Sequence, residues 1–350
     1  MASTITLPGL IDPHVHLRDP GQTYKEDFYT GTTAALAGGF TTIMDMPNNA
    51  EPITTLERLE RKIASAKGKI VCDLGIHFGT LGDNFDEFSK VIDKVAGLKV
   101  YMNVTTGNFI VDKEKLIDIY EAWPSDKPIL LHAEDDVIHL VDDAVRKTRK
   151  TTYVAHASSE EELGFVVKAK DDGLPVFCGV TPHHLFMTED KVKTMHGYAM
   201  MKPSLKSAKD QKYLWDHMDY IDVIESDHAP HTREEKEADP PAFGVPGLET
   251  TLAMLLTAEK EGRLTRKQIV DKLHTNPAKI FNVKTDPKTK IVVEMREYEV
   301  DEKDLKTKAG WSPFAGRKVV GKVKQVDLRG NTVYKDGKVL AKKGSGKVIS

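Results

Sequence analysis

The sequence predicts an α/β fold: a (β/α)8 barrel of the TIM type with a small β appendage from its carboxyl-terminal segment. Three observations carry that expectation. Eight short, apolar, β-prone runs alternate with longer amphipathic stretches, a pattern that builds parallel sheets with helical crossovers. The runs and their connections span roughly 250 residues, the usual extent of a closed barrel. Polar residues gather at the ends of several runs, where a barrel of this kind carries its active site.

The runs cover residues 6–16, 41–47, 70–78, 98–103, 128–134, 151–157, 176–185 and 222–231. Stretches 55–67 and 158–173 read as intervening helices. In the second, Ser159 and Glu162 are spaced for a capping box and Gly173 for a stop. Beyond the eighth run, residues 316–340 alternate β-prone and polar positions around an Asp336-Gly337 turn signal. The expected organisation is a barrel over 5–280, a β appendage over 281–340 packed on it, and a Lys- and Gly-rich flexible tail over 341–350.

Composition narrows the class of function. A net charge of −3 over 350 residues advertises neither nucleic acid nor an anionic membrane as partner. No apolar run approaches the roughly 20 residues of a membrane span. The two cysteines, Cys72 and Cys178, both lie in apolar segments; this fits reduced thiols in a cytoplasmic core rather than a disulfide framework.

The polar residues at the run ends suggest a metal site. His14 and His16 stand two apart in one run, so their side chains share a face of the strand and can aim at one ion. Lys99 falls in the fourth run, His132 in the fifth, His156 in the sixth and Asp227 in the eighth. A lone buried histidine usually serves packing, but four on three strands converging with a carboxylate point to ligation. Imidazole and carboxylate without cysteine suit zinc in an open catalytic site, with manganese, cobalt or ferrous iron as substitutes. Lys99 has two readings. It is a structural cation paired with Asp73 or Glu134, or a desolvated amine that takes up carbon dioxide and bridges two metals as a carbamate. Arg18 is either a surface residue paired with Asp19 or a bidentate clamp for a carboxylate. Asn48 either favours a turn or contacts a ligand. His183 and His184 read as packing at a strand end, Lys202 as a solvated lysine, and His77, His139, His196, His217 and His274 as structural.

The segments "GLIDPHVHLRDPG", "MDMPNN", "LHAE", "TPHHL", "SDHAPH" and "GVPGLET", with the strands of Lys99 and His156, together resemble the cyclic amidohydrolases. The resemblance is strongest to dihydroorotases of the type found in the animal multifunctional pyrimidine-synthesis protein. It runs from residue 7 to 277, with a weaker match through "GWSPFAGRKVVGKV".

The resemblance implies that His14, His16 and Asp227 hold one zinc, that His132 and His156 hold a second, and that carbamylated Lys99 bridges the two. It further implies that Arg18, Asn48 and His231 bind the substrate carboxylate, and that Thr105 and Thr106 contact substrate from a lid. The implied activity is the reversible cyclisation of N-carbamoyl-L-aspartate to L-dihydroorotate, with a metal-bridging hydroxide as nucleophile and Asp227 as acid and base. The implied assembly is a homodimer associated with or fused to other pyrimidine-synthesis enzymes, such as aspartate transcarbamoylase. Where the animal type has a cysteine before the sixth-strand histidine and a glutamate on the seventh strand, this chain has Ala155 and Gly179, which speaks against a third metal. The alternatives are another cyclic amidohydrolase, acting on hydantoins, dihydropyrimidines or allantoin, and a non-catalytic scaffold barrel. The scaffold reading expects the loss of at least one metal ligand, and none is lost.

Overall fold

The computed structural model describes residues 3–103 and 109–350. Eight strands form one parallel sheet in chain order: β2 (Leu10–Val15), β3 (Phe40–Asp45), β4 (Asp73–Gly79), β5 (Gly97–Tyr101), β6 (Ile129–His132), β7 (Thr152–Val154), β8 (Val176–Val180) and β9 (Val223–Ile224). The sheet curls on itself. Val15 bridges His228 in parallel, and the His16 amide donates to the His228 carbonyl at 2.8 Å, which ties the end of the first strand to the segment after the last. Strands buried on both faces need no polar alternation, and β2, β3 and β5 are buried at every position.

A second sheet is antiparallel, in the order β1 (Thr4–Pro8), β10 (Lys290–Glu299), β11 (Lys318–Leu328), β12 (Asn331–Lys335) and β13 (Lys338–Val339). The run expected as one strand over 6–16 is therefore two strands in two sheets. Gly9 lets the extended chain pass from one to the other, since a Cβ there would collide with the side chains of Thr41 and Thr289. The expected Asp-Gly turn closes the last hairpin, with Asp336 at φ 49° and Gly337 at φ 79°, the left-handed pair that a two-residue hairpin of this hand requires.

Two further expectations differ in detail. Ser159 caps the helix Glu160–Asp171 by accepting from the Glu162 amide, but the Glu162 carboxylate bonds the amides of Ser158 and Asp135. The run 176–185 ends as a strand at Val180; Thr181 then caps a short helix over Pro182–Phe186. Residues 341–350, expected as a flexible tail, are hydrogen-bonded to the barrel. The Leu74 amide donates to Lys347, the Ile349 amide donates to Leu74, and the amides of Gly344 and Gly346 reach the Ile70 carbonyl. Glycine is what permits this, because a Cβ at Gly346 would strike the Cys72 carbonyl.

The amino-terminal end of the barrel is filled by Ile11, Met44, Ala96, Leu130, Tyr153, Val223 and Phe281. Cys72 and Cys178 are buried free thiols. Among the described residues no helix is long and apolar enough to cross a membrane.

Candidate metal centre and active site

Strand geometry places the six residues with metal-binding chemistry at one end of the barrel. His14 lies on β2 with His16 just past it, Lys99 is on β5, and His132 is the last residue of β6. His156 and Asp227 follow the ends of β7 and β9. All are at most 8% exposed. Asp227 Oδ1 lies 3.1 Å from His16 Nε2 and 3.4 Å from His14 Nε2. Ligand atoms of these three residues all fall within 4.8 Å of one another, close enough to hold one metal ion. Beside them, His132 Nδ1 faces His156 Nε2 at 2.9 Å, and the rings of His14 and His156 are 5.0 Å apart.

Neighbouring groups fix which nitrogen each imidazole presents. His16 Nδ1 donates to Asn48 Oδ1 at 2.8 Å, leaving Nε2 toward Asp227. His132 Nε2 donates to Glu134 at 2.8 Å, leaving Nδ1 toward His156. Burial pushes His14, His16, His132 and His156 down, so each ring is neutral and carries the lone pair a ligand needs. Burial pushes Asp227 up and Lys99 down. Lys99 is fully buried, and its Nζ has no partner among the described residues; His156 Nδ1 is equally alone. A buried amine without a partner is costly. These orphaned groups, with the neutral imidazoles and the shared carboxylate, fit a metal centre that is completed by ions. Neither of the ionic partners considered for Lys99, Asp73 and Glu134, reaches it: Asp73 pairs with Arg329 and Glu134 with His132.

Arg18 is also buried, 5% exposed, which excludes the surface reading. Its Nε donates to the Pro230 carbonyl at 3.2 Å and its Nη2 to His231 Nε2 at 3.1 Å. Asp19, the other partner considered, pairs with Lys69. His231 Nδ1 sits 3.1 Å from Glu235, which is paired with Lys25 at 2.9 Å. Burial and the cations Arg18 and Lys25 hold His231 far below the usual imidazole range, so Nδ1–H donates to Glu235 and Nε2 accepts from Arg18. Arg18, Asn48, Asp227 and the four metal-binding histidines line one cavity, joined by Tyr101, Lys202, Phe243 and Gly244. Lys202 thus belongs to the cavity wall and its Nζ lies over the Phe243 ring. Thr105 and Thr106 lie outside the described residues.

Two buried carboxylates that sequence reading did not single out, Glu225 and Asp45, hold this arrangement. Glu225 joins three strands: one oxygen accepts from the His156 amide at 2.5 Å and lies 3.3 Å from His14 Nδ1, while the other accepts from the Tyr153 hydroxyl at 2.7 Å. Gly179 makes room for it, since a Cβ there would run into both Tyr153 and the Glu225 carboxyl. Asp45 accepts from the Leu17 amide at 2.7 Å and pairs with Lys62, which steadies the chain between His16 and Arg18. The signal available for Glu225 was a carboxylate two residues before Asp227, on the same face of an extended segment. His183 and His184 are buried; His184 is held by Thr181 and the Pro203 carbonyl, as a packing role predicts.

The sequence profile of the amidohydrolase family matches residues 5–286. A dihydroorotase of Pyrococcus abyssi is 37% identical over 371 residues, covering 99% of this chain and 87% of that protein. This chain belongs to the amidohydrolase family, among the dihydroorotases. The multifunctional protein CAD of Squalus acanthias is 41% identical over 350 residues; the chain spans only 16% of that relative's length. In solved structures this amidohydrolase is similar to an L-hydantoinase (dihydropyrimidinase) of Arthrobacter aurescens, with 25% identity, a TM-score of 0.94 and coverage of 99% and 89%. It is also similar to the inactive dihydroorotase-like domain of a CAD-like multifunctional protein of Chaetomium thermophilum, with 26% identity, a TM-score of 0.84 and coverage of 99% and 100%. As an amidohydrolase, the chain has the His-His-Asp group on which a metal would be held.

Proposed function

We propose that this chain is a dihydroorotase, interconverting L-dihydroorotate and N-carbamoyl-L-aspartate at a two-zinc centre bridged by carbamylated Lys99. His14, His16 and Asp227 would hold one zinc and His132 and His156 the other. The observation that carries this reading is Arg18, a buried guanidinium in the same cavity as Asp227 and the four metal-binding histidines. A buried cation needs an anion; dihydroorotate brings a carboxylate, whereas a hydantoin ring does not. Asn48 and His231 complete the carboxylate pocket, His231 as the Nε2–H tautomer once Arg18 has left it, with Nδ1 accepting from Lys25. Arg18 turns from its contacts with Pro230 and His231 toward the ligand. The scaffold reading, for which the inactive Chaetomium domain is a precedent, loses force because all six candidate ligands are present and brought together.

Bound zinc supplies an acidified water and an electrophile for the carbonyl. Asp227 accepts the proton of the attacking water and delivers it to the ring nitrogen as the amide C–N bond breaks. In the cyclising direction it takes that proton from the carbamoyl nitrogen, and water leaves. The cavity's burial keeps bulk solvent from Arg18 and so strengthens its hold on the carboxylate. In keeping with the multifunctional relatives, the chain acts in the cytoplasm as a homodimer tied to other pyrimidine-synthesis enzymes. The test is turnover of dihydroorotate, hydantoin and allantoin by the purified protein, together with elemental analysis. Turnover of dihydroorotate with two zinc ions per chain is expected. Preference for hydantoin would make it a hydantoinase, and no turnover of any of the three would favour a scaffold.

A further inference from the structure

Tyr101 follows Lys99 by two positions on β5, so both side chains leave the same face of the strand. Its ring packs against Phe109, with centroids 5.4 Å apart, and lies 6.0 Å from the His132 ring. Tyr101 is 2% exposed and lines the cavity with Arg18, Asn48, His132 and Asp227. Among the described residues its hydroxyl has no hydrogen-bond partner. Leaving a buried hydroxyl unpaired costs about 1–3 kcal/mol, and buried tyrosines ordinarily find a partner. Tyr153, two strands along on β7, shows the usual outcome, its hydroxyl bonded to Glu225. Tyr101 lines the cavity, and a ligand bound there would supply the partner its hydroxyl lacks among the described residues. A phenol carries an O–H that can donate to such a ligand.

The position on the barrel decides which ligand atom it meets. Arg18, Asn48 and His231 follow β2, β3 and β9, on one side of the mouth. In the order β2 to β9, β5 is the fourth strand and β9 the eighth, so Tyr101 projects from across the barrel, beside His132. A dihydroorotate held by its carboxylate at Arg18 and lying across the mouth would bring its ring toward that side. We propose that Tyr101 is a catalytic residue whose phenol O–H donates to the ring carbonyl oxygen as water adds and that oxygen becomes negative. The assignment rests on the dihydroorotase reading. A donor aimed at the developing charge strengthens its bond in the transition state and so acts on rate more than on binding.

The test is Tyr101→Phe, which keeps the ring and its packing and removes only the unpaired hydroxyl. The variant and the parent are compared in both directions of the reaction, with metal content and melting temperature measured beside the kinetics. The expected result is a kcat lower by roughly 10²–10³-fold, with KM, metal content and melting temperature within the range of the parent. Unchanged kcat and KM would overturn the assignment, and so would a raised KM at unchanged kcat, which would make the hydroxyl a ground-state contact. A parent enzyme that turns over hydantoin but not dihydroorotate overturns the functional reading instead, and the assignment with it.

Discussion

Two buried lysines of one barrel meet opposite fates. Near the amino-terminal end, Lys272 donates to the carbonyls of Met218, at 2.8 Å, and Ile221. At the carboxyl-terminal end, Lys99 is fully buried and donates to nothing described. Lys62 and Lys236 resemble Lys272: the first pairs with Asp45 at 2.7 Å, and the second donates to three backbone carbonyls. At the mouth Arg18, His156 and Asp227 are held at positive φ, at 63°, 39° and 43°, though Arg149, Asn282 and Arg329 elsewhere are as well. Non-glycine residues in that region cost of order 1 kcal/mol or more. Lys272, Lys62 and Lys236 are each answered by the fold itself. Lys99 has no partner among the described residues, and the fold holds it so until ligands complete the centre.

The largest expected effect sharpens this contrast directly. Lys99→Ala should reduce turnover to background and lower bound metal, while its metal-free form melts at or above the metal-free parent because the substitution removes an unsatisfied amine. Lys272→Met should do the reverse, costing about 1–3 kcal/mol of stability through two stranded carbonyls with kcat intact. Assays of turnover, elemental content and thermal unfolding on both variants check the pair; a strongly destabilised but active Lys99→Ala would break the comparison.

Asp227→Asn comes next. The amide keeps the size and one oxygen but cannot accept a proton, so kcat should fall by about 10²–10⁴-fold, while calorimetry still finds dihydroorotate bound through Arg18. Turnover within a few-fold of the parent would leave Asp227 as a ligand only. Glu225→Gln should loosen metal by about 10–100-fold, since His14 Nδ1 then faces an amide in place of a carboxylate; chelator competition measures it. The smallest effect is expected from Arg18→Lys, with KM raised roughly tenfold, about 1.4 kcal/mol, as a point charge replaces a fork. Metal content should not move, and an unchanged KM would remove Arg18 from the carboxylate pocket.

Much of the mouth was legible in the sequence because its chemistry follows strand period. His14 and His16 share a face by spacing alone, and His132 and His156 fall near the ends of their runs, whereas Asp227 stands inside the run 222–231, whose strand stops at Ile224. What was hidden are the contacts between strands remote in the chain. Glu225 reads as one more carboxylate until Gly179 and Tyr153 leave a space of its shape, and Tyr101 reads as a strand aromatic until its hydroxyl is found without a partner. The run over 6–16 misled because both halves are extended; period two says nothing of which sheet a strand joins.

Local physics therefore determined the alternation of strands and helices, the final Asp-Gly hairpin, and the set of imidazoles and carboxylates available to a metal, because each depends on neighbours a few residues away. The tertiary structure alone decided that β1 leaves the barrel to join β10, that the carboxyl-terminal tail pairs with Leu74, and that Lys99 and Tyr101 remain unanswered. Those outcomes depend on closure of the barrel, which brings the chain after β9 back against β2 and sets, for each buried polar atom, whether a partner lies within reach.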